Sequence, residues 1–110
     1  MSLFKSDDGV PIFYKVFDKA PPGRPTILFL NGTAQTTLNW RPYARRLKAL
    51  ARVVLYDARC QGRSGGSQVP TLDRHALDLG LLLDHLTIHK AGLVGLSHGA
   101  RVALAAARLQ

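Results

Sequence analysis

Hydrophobic residues along the chain fall into short runs typical of strands, separated by stretches with helical spacing. Residues 3–5 and 12–17 are rich in aromatic and β-branched residues, and the Asp-Asp-Gly segment 7–9 between them predicts the turn of an antiparallel hairpin. Further continuous apolar runs predict strands that are buried on both faces of a sheet. They lie at residues 26–30, 52–57 and 92–96.

Helical spacing separates these strands. The apolar face of a first predicted helix carries Trp40, Tyr43, Ala44, Leu47, Leu50 and Ala51. Its basic face carries Arg41, Arg45, Lys48 and Arg52. Pro42 is expected in the first turn of this helix, where proline is tolerated. A second helix, capped by Thr71, is indicated by Leu72, Ala76, Leu79, Leu83 and Leu86. The Ala- and Leu-rich segment 98–110 predicts a third helix.

This alternation of strands and helices predicts the α/β class. We expect about five strands and three helices, arranged as a mostly parallel sheet with an N-terminal antiparallel hairpin and helices on both faces. The hydrophobic fraction of 46% is typical of a chain with a packed core, so residues 1–110 are expected to form a single domain.

Composition narrows the function classes. The only cysteine is Cys60, so no internal disulfide is expected. The N-terminus carries no signal-peptide pattern, and the apolar runs are far shorter than the roughly 20 residues that cross a bilayer. We expect a cytoplasmic protein without a membrane partner. We also expect no metal and no cofactor, because no Cys/His cluster has metal-ligand spacing and no Gly-rich loop matches a phosphate cradle.

The net charge of +8 raises the question of an anionic partner. Much of this charge follows the basic face of the first helix, and no aromatic residues are interleaved there for stacking on bases. We interpret it as a solvated face, so a nucleic-acid partner is not expected. Anion binding is kept as an alternative function.

Residues 95–99, Gly-Leu-Ser-His-Gly, carry the candidate chemistry. A predicted buried strand precedes them and a predicted helix follows, which is the setting of a nucleophile elbow. We therefore predict that Ser97 is a catalytic nucleophile. Gly95 and Gly99 are predicted to be supporting positions, because a bulky side chain at either would collide with a neighbouring strand or helix.

An oxyanion hole is predicted beside the serine. One donor is the backbone N–H of His98, and the second is the backbone N–H of Thr33 in the loop after the strand at 26–30. Gly32 is expected to let this loop turn closely. The alternative is that Gly32 merely ends the strand.

Several motifs together resemble the N-terminal half of an α/β-hydrolase superfamily protein. They are the Leu-Asn-Gly at 30–32, Trp40, the segment 56–64 (Tyr-Asp-Ala-Arg-Cys-Gln-Gly-Arg-Ser) and the elbow at 95–99, and the resemblance covers residues 4–109. The chain is most similar to small soluble esterases, enol-lactonases and C–C bond hydrolases. The resemblance implies hydrolysis of a small-molecule ester or lactone through an acyl-serine, with Ser97 as nucleophile and Thr33 and His98 as backbone donors.

Three departures from that family pattern matter. Asn31 stands where many members have histidine, which costs little because the donor is backbone. Cys60 occupies a glycine position of the family, where a positive φ would cost about 1–2 kcal/mol. Family members take their catalytic acid and histidine from segments after the nucleophile, whereas residues 98–110 carry no carboxylate and only His98. We therefore expect a truncated, partial domain that is weakly active or inactive alone.

The other titratable side chains that could take part in catalysis are interpreted as structural or solvent-exposed. His75, His85 and His89 are interpreted as solvated surface histidines rather than as the base. Asp57 is expected to support the loop that follows it, and Cys60 is not expected to be a nucleophile because the sequence places no histidine beside it.

Partner expectations follow from the sheet. The strand at 92–96 would have an unpaired edge, so we expect a homodimer or a complementing C-terminal half. A non-catalytic binding or assembly module on the same scaffold is the remaining alternative.

Overall fold

A mixed five-stranded sheet forms the centre of the computed structural model, which describes residues 2–109. The elements in chain order are β1 (Ser2–Lys5), β2 (Pro11–Phe17), β3 (Thr26–Leu30), α1 (Thr37–Leu47), β4 (Arg52–Tyr56), α2 (Leu72–His85), β5 (Gly92–Gly95) and α3 (His98–Leu109). None of these helices is long and apolar enough to span a bilayer.

The strand order across the sheet is β1-β2-β4-β3-β5. The hairpin strands β1 and β2 are antiparallel, and β2 also pairs antiparallel with β4. The other three strands are parallel, since β3 pairs with β4 on one side and with β5 on the other. The predicted α/β class, with its antiparallel hairpin leading into a parallel sheet, is confirmed.

Side chains that alternate along the central strands build two cores, one on each face of the sheet. Val53 and Leu55 of β4 pack with Ala44 of α1 on one face. Val54 of β4 lies on the other face, in the same cluster as residues of α2 and α3 such as Leu79 and Val102. Period-two alternation of this kind is what a strand buried on both faces requires. Helices therefore cover both faces, as predicted.

Helix α1 differs from its prediction at both ends. It begins at Thr37 because the Thr36 side chain accepts from the Leu38 N–H and the Asn39 side chain accepts from the Thr36 N–H, a reciprocal cap. Pro42 is therefore the sixth residue of the helix rather than part of its first turn. The helix ends at Leu47, because the chain must turn there to enter β4.

The predicted faces of α1 need the same correction. Arg52 belongs to β4 rather than to the basic face of the helix. Tyr43 and Leu50, placed on the apolar face by their spacing, are 57% and 58% exposed. Sequence periodicity extends past Leu47, but the helix does not.

Candidate active site

The carboxyl ends of the three parallel strands bring the candidate site together. Leu30 at the end of β3 is in register with Gly95 at the end of β5, and β3 also pairs in parallel with β4. The segments that follow these strands, which start at Asn31, Asp57 and Leu96, therefore emerge at one edge of the sheet.

Residues 95–99, called the elbow below, make a sharp turn between β5 and α3. Two residues connect the end of β5 at Gly95 to the start of α3 at His98. One of them, Ser97, is exposed and has a φ of 56°. A non-glycine residue in this left-handed region is strained, and such strain concentrates at functional sites. The predicted nucleophile is thus presented to solvent on a strained turn.

The two glycines of the elbow are packed against backbone. A Cβ built on Gly95 would lie 2.6 Å from the Ala100 nitrogen, and one on Gly99 would collide with the Leu30 carbonyl and lie 2.8 Å from the Asn31 carbonyl oxygen. Backbone atoms cannot move aside as a flexible side chain can. The absence of a side chain at these positions lets α3 start directly against β3 and β5.

The loop after β3 touches the elbow through Gly32. A Cβ on Gly32 would lie 2.8 Å from the Leu96 carbonyl oxygen, so close approach is the requirement at this position. The Gly32 N–H donates to Gln35 Oε1 at 2.7 Å, which ties the loop back on itself. The next residue, Thr33, is exposed and adjoins this contact.

The His98 backbone is available as a hydrogen-bond donor. His98 is the first residue of α3, and the first N–H groups of a helix lack intrahelical acceptors. A helix N-terminus also carries partial positive charge, which favours a developing oxyanion. Thr33 and His98 thus lie on the two segments that meet where Gly32 contacts Leu96.

Asn31 is held by three separate contacts. Its Nδ2 donates to the Tyr56 carbonyl at 3.1 Å and to Asp57 Oδ1 at 2.9 Å, and its Oδ1 accepts from Trp40 Nε1 at 2.9 Å. Asn31 is only 5% exposed. The residue therefore anchors the start of the Gly32–Thr33 loop.

Asp57 has a supporting role rather than a catalytic geometry. Its buried carboxylate accepts the backbone N–H groups of Thr37 at 2.8 Å and Arg63 at 3.1 Å, in addition to Asn31. The Ser64 hydroxyl also donates to the Asp57 carbonyl. Asp57 thus ties the loop that follows it, the start of α1 and the loop after β3 into one unit.

A group of paired charged side chains, centred on the buried Arg59 and Asp78, adjoins this edge and was not predicted from the sequence. Arg59 Nε donates to Asp78 Oδ2 at 2.7 Å, and its terminal nitrogens donate to both oxygens of Asp8 at 2.9 and 3.0 Å. Arg74 donates to Asp78 at 2.8 Å and to Asp7 at 2.5 Å. We call these five residues the ion-pair network. It ties the hairpin turn to the loop after β4 and to α2.

The network shifts the ionisation of its members. The hydrogen bond from Arg59 lowers the pKa of Asp8 to about 2. Burial of Asp78 opposes its charge, but hydrogen bonds from Arg59 and Ser6 outweigh burial and lower its pKa. One signal was present in the sequence, because Arg74 and Asp78 are four residues apart in a predicted helix, where opposite charges can pair.

The three histidines weighed as bases have separate surroundings. His75 is 4% exposed, so its interpretation as a solvated surface residue is wrong. Its ring meets that of His98 edge-on, with centroids 5.2 Å apart. Burial, followed by the charge of His98, lowers the pKa of His75, and its Nδ1 has no hydrogen-bond partner within the described part of the chain. His85 contacts Phe4, and His89 is exposed as expected.

Cys60 adopts the strained conformation that its position in the family pattern suggested. Its φ is 67°, and its thiol donates weakly to the Gln68 carbonyl at 3.3 Å. Across residues 2–109 there is no group of three or more His, Cys, Asp or Glu side chains able to hold a metal ion.

Comparison with known proteins extends these observations. A family model described as alpha/beta hydrolase fold matches residues 25–110. The 3-oxoadipate enol-lactonase 1 of Acinetobacter baylyi is 37% identical over 76% of this chain, and the sn-1-specific diacylglycerol lipase ABHD11 of Danio rerio is 36% identical over 92%. The match covers 32% of each relative, so the chain spans about a third of the length of these curated relatives.

Solved structures agree with the sequence relatives. The crystal structure of the enol-lactonase from Burkholderia xenovorans superposes on 94% of this chain with a TM-score of 0.85 at 27% identity, and the match covers 40% of that protein. The chain is therefore similar to these proteins in both backbone structure and sequence, and the family model spans most of the residues. The chain belongs to the α/β-hydrolase-fold family.

Proposed function

We propose that this chain carries the nucleophile and the oxyanion hole of a serine hydrolase that cleaves a small-molecule ester or lactone. The observation that carries the proposal is the conformation of Ser97, an exposed serine with a φ of 56° between a strand and a helix. The two glycines beside it have backbone neighbours too close for any side chain. Strain of this kind persists only where the surrounding structure enforces it.

In the proposed reaction, Ser97 Oγ attacks the substrate carbonyl carbon. The C–O bond to the leaving group breaks as the tetrahedral intermediate collapses, and an acyl-serine remains until water hydrolyses it. The backbone N–H groups of Thr33 and His98 donate to the negative oxygen of the intermediate. Removing one such donor typically costs a factor of 100 to 1,000 in kcat, which makes these donors a major part of the proposed catalysis.

The proton of Ser97 needs a base. After Ser97 the sequence contains no carboxylate and no histidine other than His98. We propose that the acid and the base come from outside these 110 residues and that the chain alone reacts slowly. The substrate class rests on the relatives, which are named an enol-lactonase and a diacylglycerol lipase.

A fluorophosphonate probe tests the nucleophile directly. We expect slow covalent labelling of the chain, mapped to Ser97 by peptide mass spectrometry, and complete loss of labelling in Ser97→Ala. Ser67→Ala is the matched control, because Ser67 is also exposed but belongs to the loop between β4 and α2. Equal labelling of Ser97→Ala and the wild type, or no labelling of either, would overturn the proposal in favour of a non-catalytic module.

Chemical rescue tests the missing base. Imidazole in the buffer can accept the Ser97 proton, so we expect the labelling rate of the wild type to rise with imidazole concentration. The rate for Ser97→Ala is expected to stay at background. A wild-type labelling rate that does not change with imidazole concentration would contradict the assignment of the base to a segment outside the chain.

The outer edge of β5 supports a proposal about partners. Within the described residues β5 pairs only with β3, and the apolar side chains of Val94 in this strand and of Leu96 directly after it are 42% and 54% exposed. An unpaired apolar edge is a template for another strand. Because the relatives are about three times as long as the match, we propose that the rest of the family fold, as a complementing C-terminal half, covers this edge.

Sedimentation measurements test this edge. Without the complementing half we expect the chain to self-associate as its concentration rises, and we expect Val94→Lys to shift it towards monomer. Val69→Lys is the control, since Val69 is 97% exposed in a loop. A polypeptide that supplies the remaining strands should form a one-to-one complex with the wild type. A stable monomer that does not bind this polypeptide would contradict the proposal. A dimer that does not bind the polypeptide would mean that a second copy of the chain covers the edge.

A further inference from the structure

A small cavity lies away from the elbow, on the face of the sheet that α1 covers. Its volume is about 170 Å³, and it is bounded by β2, the first turns of α1 and the loop after β4. Strand β2 is three positions from β5 in the sheet order, so this cavity is separate from Ser97. Phe13 and Leu38 supply apolar walls.

Three cationic side chains line this cavity, which are Lys15, Arg41 and Arg63. Two of them rest on aromatic rings of β2, because Lys15 Nζ is 5.0 Å from the ring centre of Phe17 and Arg63 Cζ is 5.4 Å from that of Phe13. Such cation–π contacts hold the charges in place beside apolar surface.

The acidic side chain that lines the cavity is Asp57. Its oxygens already accept hydrogen bonds from Asn31 and from the backbone of Thr37 and Arg63. Lys15 and Arg41 by themselves outnumber this one carboxylate, so the cavity lining carries net positive charge. Low-dielectric walls around such a cavity concentrate its field.

Arg41 differs from the other basic residues of α1. Its Nε is buried without a hydrogen-bond partner among the described residues, whereas Arg45 and Lys48 are exposed. Arg41 also lines the cavity, and neither Arg45 nor Lys48 does. An oxyanion in the cavity would therefore form its charge-assisted hydrogen bond with Arg41 rather than with the exposed basic residues of the helix. The basic face predicted from the sequence is therefore not uniform, because one of its members is turned towards a cavity.

From this cluster we infer that the cavity binds a small organic anion, with a carboxylate or phosphate at Arg41 and Lys15 and a short apolar group against Phe13 and Leu38. The volume is below that of a pocket for a drug-sized ligand, which limits the ligand to a few heavy atoms beyond its charged group. This site is independent of the hydrolase chemistry proposed at Ser97.

Benzoate and phenyl phosphate are suitable probes, with benzamide as the neutral counterpart. In ¹H–¹⁵N NMR titrations at constant ionic strength, we expect saturable shifts of the Leu38, Arg41 and Arg63 amides with both anions and none with benzamide. Shifts with benzamide equal to those with benzoate, or shifts spread evenly over all basic residues, would overturn the inference.

Substitutions locate the charge that matters. Arg41→Gln is expected to weaken benzoate binding about tenfold or more, the effect that loss of one hydrogen bond to a charged group typically has. Arg45→Gln removes the same charge one helical turn away and is expected to leave affinity unchanged. Equal weakening by the two variants would mean nonspecific attraction.

Lys15→Met provides a second variant in case Arg41→Gln fails to fold, and it too should weaken binding. Retention of wild-type affinity by Lys15→Met would overturn the inference. Ser97→Ala should bind benzoate like the wild type, so this test and the labelling test at Ser97 can fail separately. Binding of duplex DNA with a steep salt dependence, and no saturable binding of benzoate, would instead assign the charge to a polyanion.

Discussion

The elbow and the ion-pair network lie near the same edge of the sheet, but different interactions stabilise them. At the elbow, Gly95 and Gly99 leave side chains out so that α3 can approach β3 and β5, and Ser97 carries the strain. In the network, Arg59 and Asp78 bury charged side chains and connect three segments of the chain. A side chain added at either elbow glycine would press on backbone atoms, whereas removal of Arg59 or Asp78 would leave its buried partner without that ion pair.

Loss of a network charge is expected to have the largest effect on stability. Asp78→Ala leaves Arg59, whose side chain is 9% exposed, without its buried partner. Breaking a buried ion pair from one side typically costs about 3–5 kcal/mol of unfolding free energy. Urea unfolding followed by circular dichroism at pH 7 measures the change. Asp84→Ala, at an exposed position of the same helix, is expected to stay within about 0.5 kcal/mol of the wild type, and equal losses would contradict the comparison.

An added methyl group at the elbow is expected to have the next largest effect. The Cβ of Gly99→Ala would press on the carbonyl groups of Leu30 and Asn31, and overpacking of this kind costs about 1–3 kcal/mol. Gly92→Ala is the control, because its Cβ would have no neighbour nearer than the Thr26 carbonyl oxygen at 3.8 Å. Thermal unfolding compares the two variants, and a Gly99→Ala protein as stable as Gly92→Ala would mean that the elbow can relax.

The elbow and the ion-pair network should lose their contributions to stability in different pH ranges. The pKa of His75, which packs on His98 of the elbow, is lowered by burial and by His98 from an ordinary value of 6.5. The unfolded chain therefore takes up this proton more readily than the folded chain, and stability declines as the pH falls below about 6.5. Urea unfolding from pH 7 to 5 measures this decline. His75→Leu should flatten it and His89→Leu should not, and an unchanged slope in His75→Leu would refute the assignment.

The network responds at lower pH. The pKa of Asp8 is lowered from 3.8 to about 2, so its stabilising contribution is complete above about 4 and is lost as the pH falls towards 2. The pKa of Asp78 is lowered as well, so the stabilising contribution of Asp78 is also lost as the pH falls. Asp78→Asn should reduce the dependence on pH in this window while keeping the dependence above pH 5.

The smallest effect is expected at Cys60, an exposed residue with a positive φ. Cys60→Gly relieves a positive φ worth about 1–2 kcal/mol, and the added freedom of the unfolded chain returns about half of that. We expect a gain of about 0.5–1 kcal/mol in unfolding free energy by urea titration. Cys60→Ala removes the thiol but keeps the Cβ and is expected to show no gain. A gain in both variants would trace the effect to the thiol instead.

Much of the fold could be predicted because its signals are local. Apolar runs such as 26–30 and 52–57 indicate buried strands wherever they pack, and Asp7-Asp8-Gly9 indicates a turn by its own backbone preferences. The limits of α1 were missed because Leu50 continues the helical period after the chain has turned. There the path into β4 overrides periodicity.

The candidate site divides in the same way. The elbow could be predicted because Gly95, Ser97 and Gly99 lie within five consecutive residues. The loop 31–33 could be assigned to the oxyanion hole because it directly follows a predicted strand. The burial of His75 could not be predicted, since it depends on how α2 packs against α3. The catalytic roles of Ser97, Thr33 and His98 are predictions that the labelling experiment tests.

The sequence by itself determined the order of strands and helices, the strand-turn-helix at Ser97 and the excess of positive charge, because each depends on residues close together in the chain. Tertiary structure alone decided that Arg59 reaches both Asp8 and Asp78, that His75 meets His98, and that Arg41 faces a cavity while Arg45 faces solvent. These contacts join residues that are up to 51 positions apart. The serine turn is thus settled as a structural feature by local sequence, whereas its surroundings follow from the packing of distant segments.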